Sequence, residues 1–330
     1  MTSLKNVAKL AGVSLMTVSR AINEPHKLNE KTLKVVRAAI KELNYVPNLS
    51  AQRIRGSDNT PSIGVFSLEA ATTPFSVEIL LSIEKTVKSY GWSAFFVNTF
   101  KGEDQSKVVD LLLSHRPAGI IFATMGLKDI QIPEKLKALP IVLANCITHD
   151  ASVPGYIPNN YQGQYDATAI LIEKGYQKPL CVYLPKTSLA TQARRKGFRQ
   201  AWADHKMPFE PVEYYINGGA QENFLEMIPI LQKHLVNQKD DFDVVICGND
   251  RLAFVAYQFL LGQGFNIPQD IAILGFDAMV GVYDLFTPSL ATISLPHYEM
   301  GKQATLHLIE KRTDKDTHYL DCPLLPGESI

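Results

Sequence analysis

The chain has 330 residues, 33 basic and 33 acidic side chains, 46% hydrophobic and 20% charged residues. That length suits two or three domains, and the composition is globular rather than disordered. Asp, Glu, Lys, Asn or Gln interrupts every apolar stretch, and the first dozen residues carry charges without a sustained apolar run, so no membrane span, no secretory leader and a cytoplasmic location are expected.

The balanced charge hides an asymmetry. Residues 1–57 hold ten lysines and arginines against three glutamates, and the rest of the chain carries the compensating acidic surplus. A basic head on an acidic body fits a head that alone meets phosphate. Cys146, Cys181, Cys247 and Cys322 are far apart and form no CxxC pair, which favours reduced core thiols over a zinc or redox motif.

In chain order, Leu4, Val7, Ala8 and Ala11 recur at helical spacing, and Gly12 supplies a turn. Ser14 is a good N-cap for a second short helix carrying Val18 and Ile22 inward. Asn29 caps a third, through Asn44, with Val36, Ile40 and Leu43 on its apolar face. Two short helices about a glycine turn, braced by a third, make a helix-turn-helix unit. A polar, basic stretch at 48–56 and a turn-rich segment at 57–61 then read as a hinge and linker.

From Ser62 the pattern changes. Strand-length apolar runs at 63–66, 93–97, 119–123, 141–144, 180–184, 244–247 and 271–276 alternate with helical segments at 77–90, 105–115, 165–174, 195–205, 225–235 and 252–261. Such alternation argues for parallel sheets covered by helices, repeated often enough for two units, with ligand sites at the carboxyl ends of the strands. There is no G-x-S-x-G, Walker loop, H-E-x-x-H or G-x-G-x-x-G, so no enzyme is expected. The eight histidines show no metal-ligand spacing, no cofactor is expected, and Asp240, Asp241 and Asp243 read as a solvated turn.

The run Val7-Ala8-Lys9-Leu10-Ala11-Gly12-Val13-Ser14-Leu15-Met16-Thr17-Val18-Ser19-Arg20-Ala21-Ile22-Asn23 closely resembles the helix-turn-helix signature of the LacI/GalR family. Leu43-Asn44-Tyr45-Val46-Pro47-Asn48 matches the family's run into its hinge, and Gly248-Asn249-Asp250 and Gly275-Phe276-Asp277 are downstream landmarks. Within the family, residues 71–77 and 247–257 look most like the sucrose-responsive members.

The resemblance implies an all-α helix-turn-helix head (residues 1–47), a hinge helix and linker (48–61), and an α/β core at 62–330. That core would be periplasmic-binding-protein-like, with two doubly wound parallel-sheet subdomains, one at about 62–160 and 291–321, the other at about 161–290 and 322–330. Ser14 would cap a recognition helix whose N-terminus and hydroxyls at Thr17 and Ser19 meet phosphate. Leu15 and Met16, an apolar pair ill-suited to a solvent face, would meet thymine methyls, and Arg20 a guanine. Asn23 joins this DNA-facing set. In the hinge, Asn48, Ala51, Arg53, Ile54 and Arg55 would meet DNA, with Ile54 as the minor-groove wedge where leucine is usual.

The family's effector site maps onto Asn145, Arg194, Asn249 and Asp277, with Phe75 as the ring face. Phe66 is a second candidate, though aromatics in such strands are more often core. Arg194 is favoured over Arg195, one position away, by counting back from Gly197. The expectation is a homodimer on a near-palindromic operator, released by a small sugar, sucrose or one containing fructose. The other reading is a purine-repressor-like regulator whose ligand is a corepressor. After Cys322 there is no room for a tetramerising heptad helix, which also favours a dimer.

Overall fold

Polar caps set the helices of the first unit, Met1–Pro61. In this computed structural model the described residues are 3–45, 60–68, 74–99, 102–217, 223–235 and 241–330, with no side-chain description for Asn23 or residues 74–76. The hinge residues Asn48, Ala51, Arg53, Ile54 and Arg55 therefore lie outside the described residues. Helix α1 (Leu4–Ala11) starts at Ser3, whose side chain accepts from the Asn6 N–H, and stops at Gly12 with φ 63°. Only glycine takes that left-handed turn without strain. Helix α2 (Leu15–Asn23) is capped by Ser14 and α3 (Glu30–Glu42) by Asn29. Val7, Val18 and Val36, one from each helix, are fully buried and meet in a single core.

The second unit, Ser62–Ile330, holds two sheets. The first comprises β1 (Ser62–Leu68), β2 (Ser93–Thr99), β3 (Gly119–Asp129), β4 (Ile141–Ile147), β5 (Gly155–Pro158) and β11 (Thr317–Leu320), in the order β2-β1-β3-β4-β5-β11, all parallel. The second comprises β6 (Pro179–Tyr183), β7 (Val212–Tyr215), β8 (Val244–Cys247), β9 (Ala272–Asp277), β10 (Ala291–Ser294) and β12 (Leu324–Leu325). Its order is β7-β6-β8-β9-β10-β12, the same pattern again, with only β12 antiparallel. Both orders reverse direction beside their first strand, the switch point where such sheets take ligands.

Burial explains why these strands read as continuous apolar runs. Val142 and Ala144 of β4 face one core, Ile141 and Leu143 the other, so the sheet is covered on both sides. In β8, Val245 and Cys247 face one core, Val244 and Ile246 the other. The covering helices are α4 (Pro74–Ser89), α5 (Gln105–Ser114) and α10 (His297–Ile309) on the first sheet, and α6 (Asn160–Glu173), α7 (Leu189–Asp204), α8 (Met227–Leu235) and α9 (Asp250–Gly262) on the second. The chain passes between the sheets three times, after β5, after β10 and after β11.

Three points correct the sequence reading. Strand β10 pairs with β9, so residues 291–294 belong to the second sheet rather than beginning the return to the first. Helix α7 starts at Leu189, because the Ser188 side chain accepts from the Thr191 N–H, so Arg194 lies inside the helix rather than before it. Strand β4 runs on through Asn145 to Ile147, accommodating Asn145 at φ 61°, so Asn145 does not end it. Helix α2 begins at Leu15, as its Ser14 cap requires. The short strands β5, β7, β10, β11 and β12 and helix α10 lie outside the runs that the sequence pattern marks.

Helices α6 and α7 touch at Gly197, where an added Cβ would sit 2.1 Å from the backbone oxygen of Tyr161. Alanine there gains about 1 kcal/mol of helix propensity but overpacks by about 3 kcal/mol, so Gly197→Ala should lower stability by about 2 kcal/mol in urea unfolding.

Candidate functional sites

In the head, the local sequence presents one helix end outward. The Ser14 hydroxyl accepts from the Thr17 N–H at 3.1 Å and lies 2.9 Å from the Thr17 hydroxyl, fixing the N-terminus of α2. Val18 and Ala21 turn inward, which leaves Leu15 (47% exposed), Met16 (65% exposed) and Arg20 on the outer face. Thr17 and Ser19 are half-buried beside them. An apolar pair beside an arginine at the start of a capped helix, on a basic unit, is suited to a DNA groove and has no use in water.

In the second unit the carboxyl ends of both sheets open on a cleft of about 750 Å³. That lies within the roughly 300–1,000 Å³ of small-molecule pockets. Asn145, Arg194, Asn249 and Asp277 all line it. Asn145, on the first sheet, donates both amide hydrogens, to the carbonyls of Thr124 at 3.2 Å and Met125 at 3.1 Å. Its side-chain oxygen is then what it can offer a ligand donor. Asn249 follows β8 and caps α9, accepting from the Leu252 N–H at 3.0 Å, so its NH₂ is the group it can turn to a ligand.

Arg194 holds the centre. Its guanidinium donates to Asn160 Oδ1 at 2.8 Å and to the Gly248 carbonyl at 2.7 Å, and lies 3.5 Å from the Phe276 ring centroid. Burial pulls its pKa down to about 10, against the pull of Asp277, Cys322 and Asp250. Arg195, by contrast, is half-exposed on the outer face and pairs with Glu213 at 2.8 Å, so the one-residue ambiguity resolves to Arg194 as the cleft residue.

Asp277 ends β9 at φ 102°, and its Oδ1 is buried without a hydrogen-bond partner. Burial, and then the neighbouring Asp250, push its carboxyl well above the usual range. Asp250, fully buried, accepts from the Thr292 hydroxyl at 2.6 Å and the Met279 N–H at 2.8 Å, and burial raises it to about 6. The charge of Asp250 thus adds to burial in disfavouring ionisation of Asp277, and the Arg194 charge opposes both. An orphaned acceptor beside an arginine fork and two amides is a constellation for hydroxyl groups.

Phe75 has no described side chain, and Phe66 is core, its ring tilted against that of Phe122 with centroids 5.1 Å apart. Sequence reasoning missed Asn160 and His297, both in the cleft and both just past a crossover. His297 is buried, and desolvation together with Arg194 lowers it to about 4, so it is a neutral imidazole at pH 7. A second hollow, about 770 Å³, opens on the second subdomain away from these groups and is lined mainly by apolar side chains, among them Phe254, Leu261 and Leu285. Among the described residues no helix is long and apolar enough to cross a membrane.

A helix-turn-helix head joined to a two-sheet core with a polar cleft defines a ligand-responsive DNA-binding regulator. Residues 3–48 match the bacterial regulatory proteins of the lacI family, and residues 60–324 match the periplasmic binding proteins and sugar binding domain of the LacI family. The chain belongs to the LacI family, and is a DNA-binding transcriptional regulator with a sugar-binding core. It is 48% identical over 326 residues to the sucrose operon repressor of Escherichia coli, covering 98% of each chain. It is 31% identical to the ribose operon repressor of Escherichia coli strain K12, over 95% of this chain and 94% of that one. A crystal structure of the Lac repressor bound to ONPG in the repressed state shares the fold at TM-score 0.82 and 23% identity, over 100% of this chain and 99% of that one.

Proposed function

We propose that this protein represses a sucrose utilisation operon from the cytoplasm, and that sucrose or its fructose moiety in the cleft releases it from DNA. The observation that carries the sugar reading is that Asp277, whose buried Oδ1 has no hydrogen-bond partner, lines the same cleft as Arg194, Asn145 and Asn249. A polyol supplies the donors that this acceptor lacks. The 48% identity to a sucrose operon repressor supports the choice of sugar.

On DNA, α2 would lie in the major groove with Leu15, Met16 and Arg20 toward base edges and Ser14, Thr17, Ser19 and Asn23 toward the backbone. Asn48, Ala51, Arg53, Ile54 and Arg55 would complete the contact at the operator centre. Two heads on a near-palindrome require a homodimer. The exposed apolar face of Leu225, Phe254, Leu261 and Leu285 (41–74% exposed) supports one, since a lone subunit would leave it in water.

Sugar can act only through unequal affinity for the two arrangements of the subdomains. The test is operator mobility shift with and without sucrose and fructose, paired with calorimetry of the full chain. The expected result is binding of one sugar per subunit and a fall in operator affinity. Tighter operator binding on adding sugar would make the ligand a corepressor. No heat with any such sugar, but a response to purines, would replace the effector class.

A further inference from the structure

We propose a second ligand site, for a divalent transition metal of the zinc class, formed by His307, Asp314 and His318 on the far edge of the first sheet. No usual ligand spacing marks these residues in the sequence; the fold gathers them. His307 sits in the last turns of α10, Asp314 in the connection that follows, and His318 in β11. Their ligand atoms all lie within 4.8 Å of one another, with His318 Nε2 already 2.7 Å from Asp314 Oδ1. A metal with bonds of about 2.0–2.2 Å needs ligand atoms about 3.3–3.5 Å apart, so the set assembles by side-chain shifts of about 1 Å.

The rings are held for this. His318 pairs in register with Tyr156 of β5, and its ring stacks on the Tyr156 ring with centroids 4.6 Å apart and planes 12° apart. The Tyr156 hydroxyl lies 3.1 Å from His307 Nδ1. His307 is buried, while Asp314 and His318 are half-exposed, so water can enter and complete the coordination. The nearest cation, Arg312, is matched: it donates to Glu310 at 2.8 Å and to Gln303 at 2.9 Å, and turns a third donor to the Tyr156 hydroxyl at 3.0 Å.

The donor chemistry selects the ion. Two imidazoles and one carboxylate suit zinc, cobalt or nickel, whereas magnesium and calcium take oxygen ligands. A bound ion would fasten the end of α10 to β11, the strand that leads into the third passage between subdomains at β12. It would therefore stiffen a segment that joins the two subdomains, apart from the sugar cleft.

The test uses the untagged full chain, stripped with chelator. Zinc titration by calorimetry should show one ion per subunit, and saturating zinc should raise the melting temperature by about 5 °C. Cobalt should give the visible bands of a four-coordinate nitrogen and oxygen site. His318→Ala and Asp314→Asn should each weaken zinc binding at least about tenfold. Should His318→Ala fail to fold by circular dichroism, Asp314→Asn decides. No uptake by the parent chain at about 100 µM zinc, unchanged affinity in the folded variants, or a cobalt–thiolate charge-transfer band would each overturn the proposal.

Discussion

Arg194→Ala should lose sugar binding by at least about 100-fold while the chain still binds operator, giving a repressor that no longer responds. The cause is the number of groups that depend on one guanidinium. Asn160 Oδ1 and the Gly248 carbonyl lose their donor, and Asp277 and Asp250 lose the charge that offsets their burial. Removing one member of a buried charged set costs about 3–5 kcal/mol, so stability falls as well. Arg194→Lys separates the two effects. It keeps a positive charge but has neither the fork nor the flat face that lies 3.5 Å from the Phe276 centroid. It should recover much of the stability and little of the sugar affinity.

The stability loss in Arg194→Ala should also depend on pH. A carboxyl whose folded pKa is raised, as burial raises Asp250 to about 6, retains a proton that the unfolded chain releases near 4. The folded state then binds more protons, and stability declines as pH rises through that window. Without Arg194 both carboxyls rise further, so the deficit should be larger at pH 8 than at pH 5 in urea unfolding. Sugar affinity within about threefold of the parent, in a folded Arg194→Lys protein, would remove the cleft from the effector mechanism.

The features readable from the chain were those with local causes. Ser14 and Asn29 announce their helices because a cap needs only the next three residues. Strand β8 coincides with its apolar run because both faces are buried, so every position must be apolar. Strand β11 carries Thr, His, Tyr and Leu at a sheet edge, half-exposed, and only its pairing with β5 defines it. Helix α10 hides because its inward face includes His297, Gly301, Thr305 and His307, polar or small residues whose burial depends on distant partners such as Ile79 and Ser82. The cleft divides the same way. Asn249 and Asp277 stand at strand ends, which the alternating pattern exposes, whereas Asn160 and His297 reach the site only because the chain crosses between sheets beside them. Arg194 was found by resemblance; its contacts with Gly248 and Phe276 span more than fifty residues and leave no local trace.

Arg20→Ala should sharply weaken discrimination between operator and unrelated DNA while leaving the head folded. Arg20 projects from the outer face of α2, opposite Val18, which is fully buried. Its removal should change stability by no more than about 0.5 kcal/mol. A bidentate arginine–guanine contact discriminates by about 1–3 kcal/mol, and a dimer makes it twice. Specific affinity should therefore fall by about 2–6 kcal/mol, from about thirtyfold to about twenty-thousandfold, in operator mobility shifts. Binding to unrelated DNA should change little beyond the loss of one positive charge per head. Met16→Ala, which removes an apolar contact from a residue 65% exposed, should act in the same direction and less strongly. Val18→Ala serves as the contrast: it opens the small core shared with Val7 and Val36, so both specific and unspecific binding should fall together with the melting of the head. If Arg20→Ala kept its preference for operator sequence, α2 would not be the reading element, and the outward pair Leu15 and Met16 would need another partner.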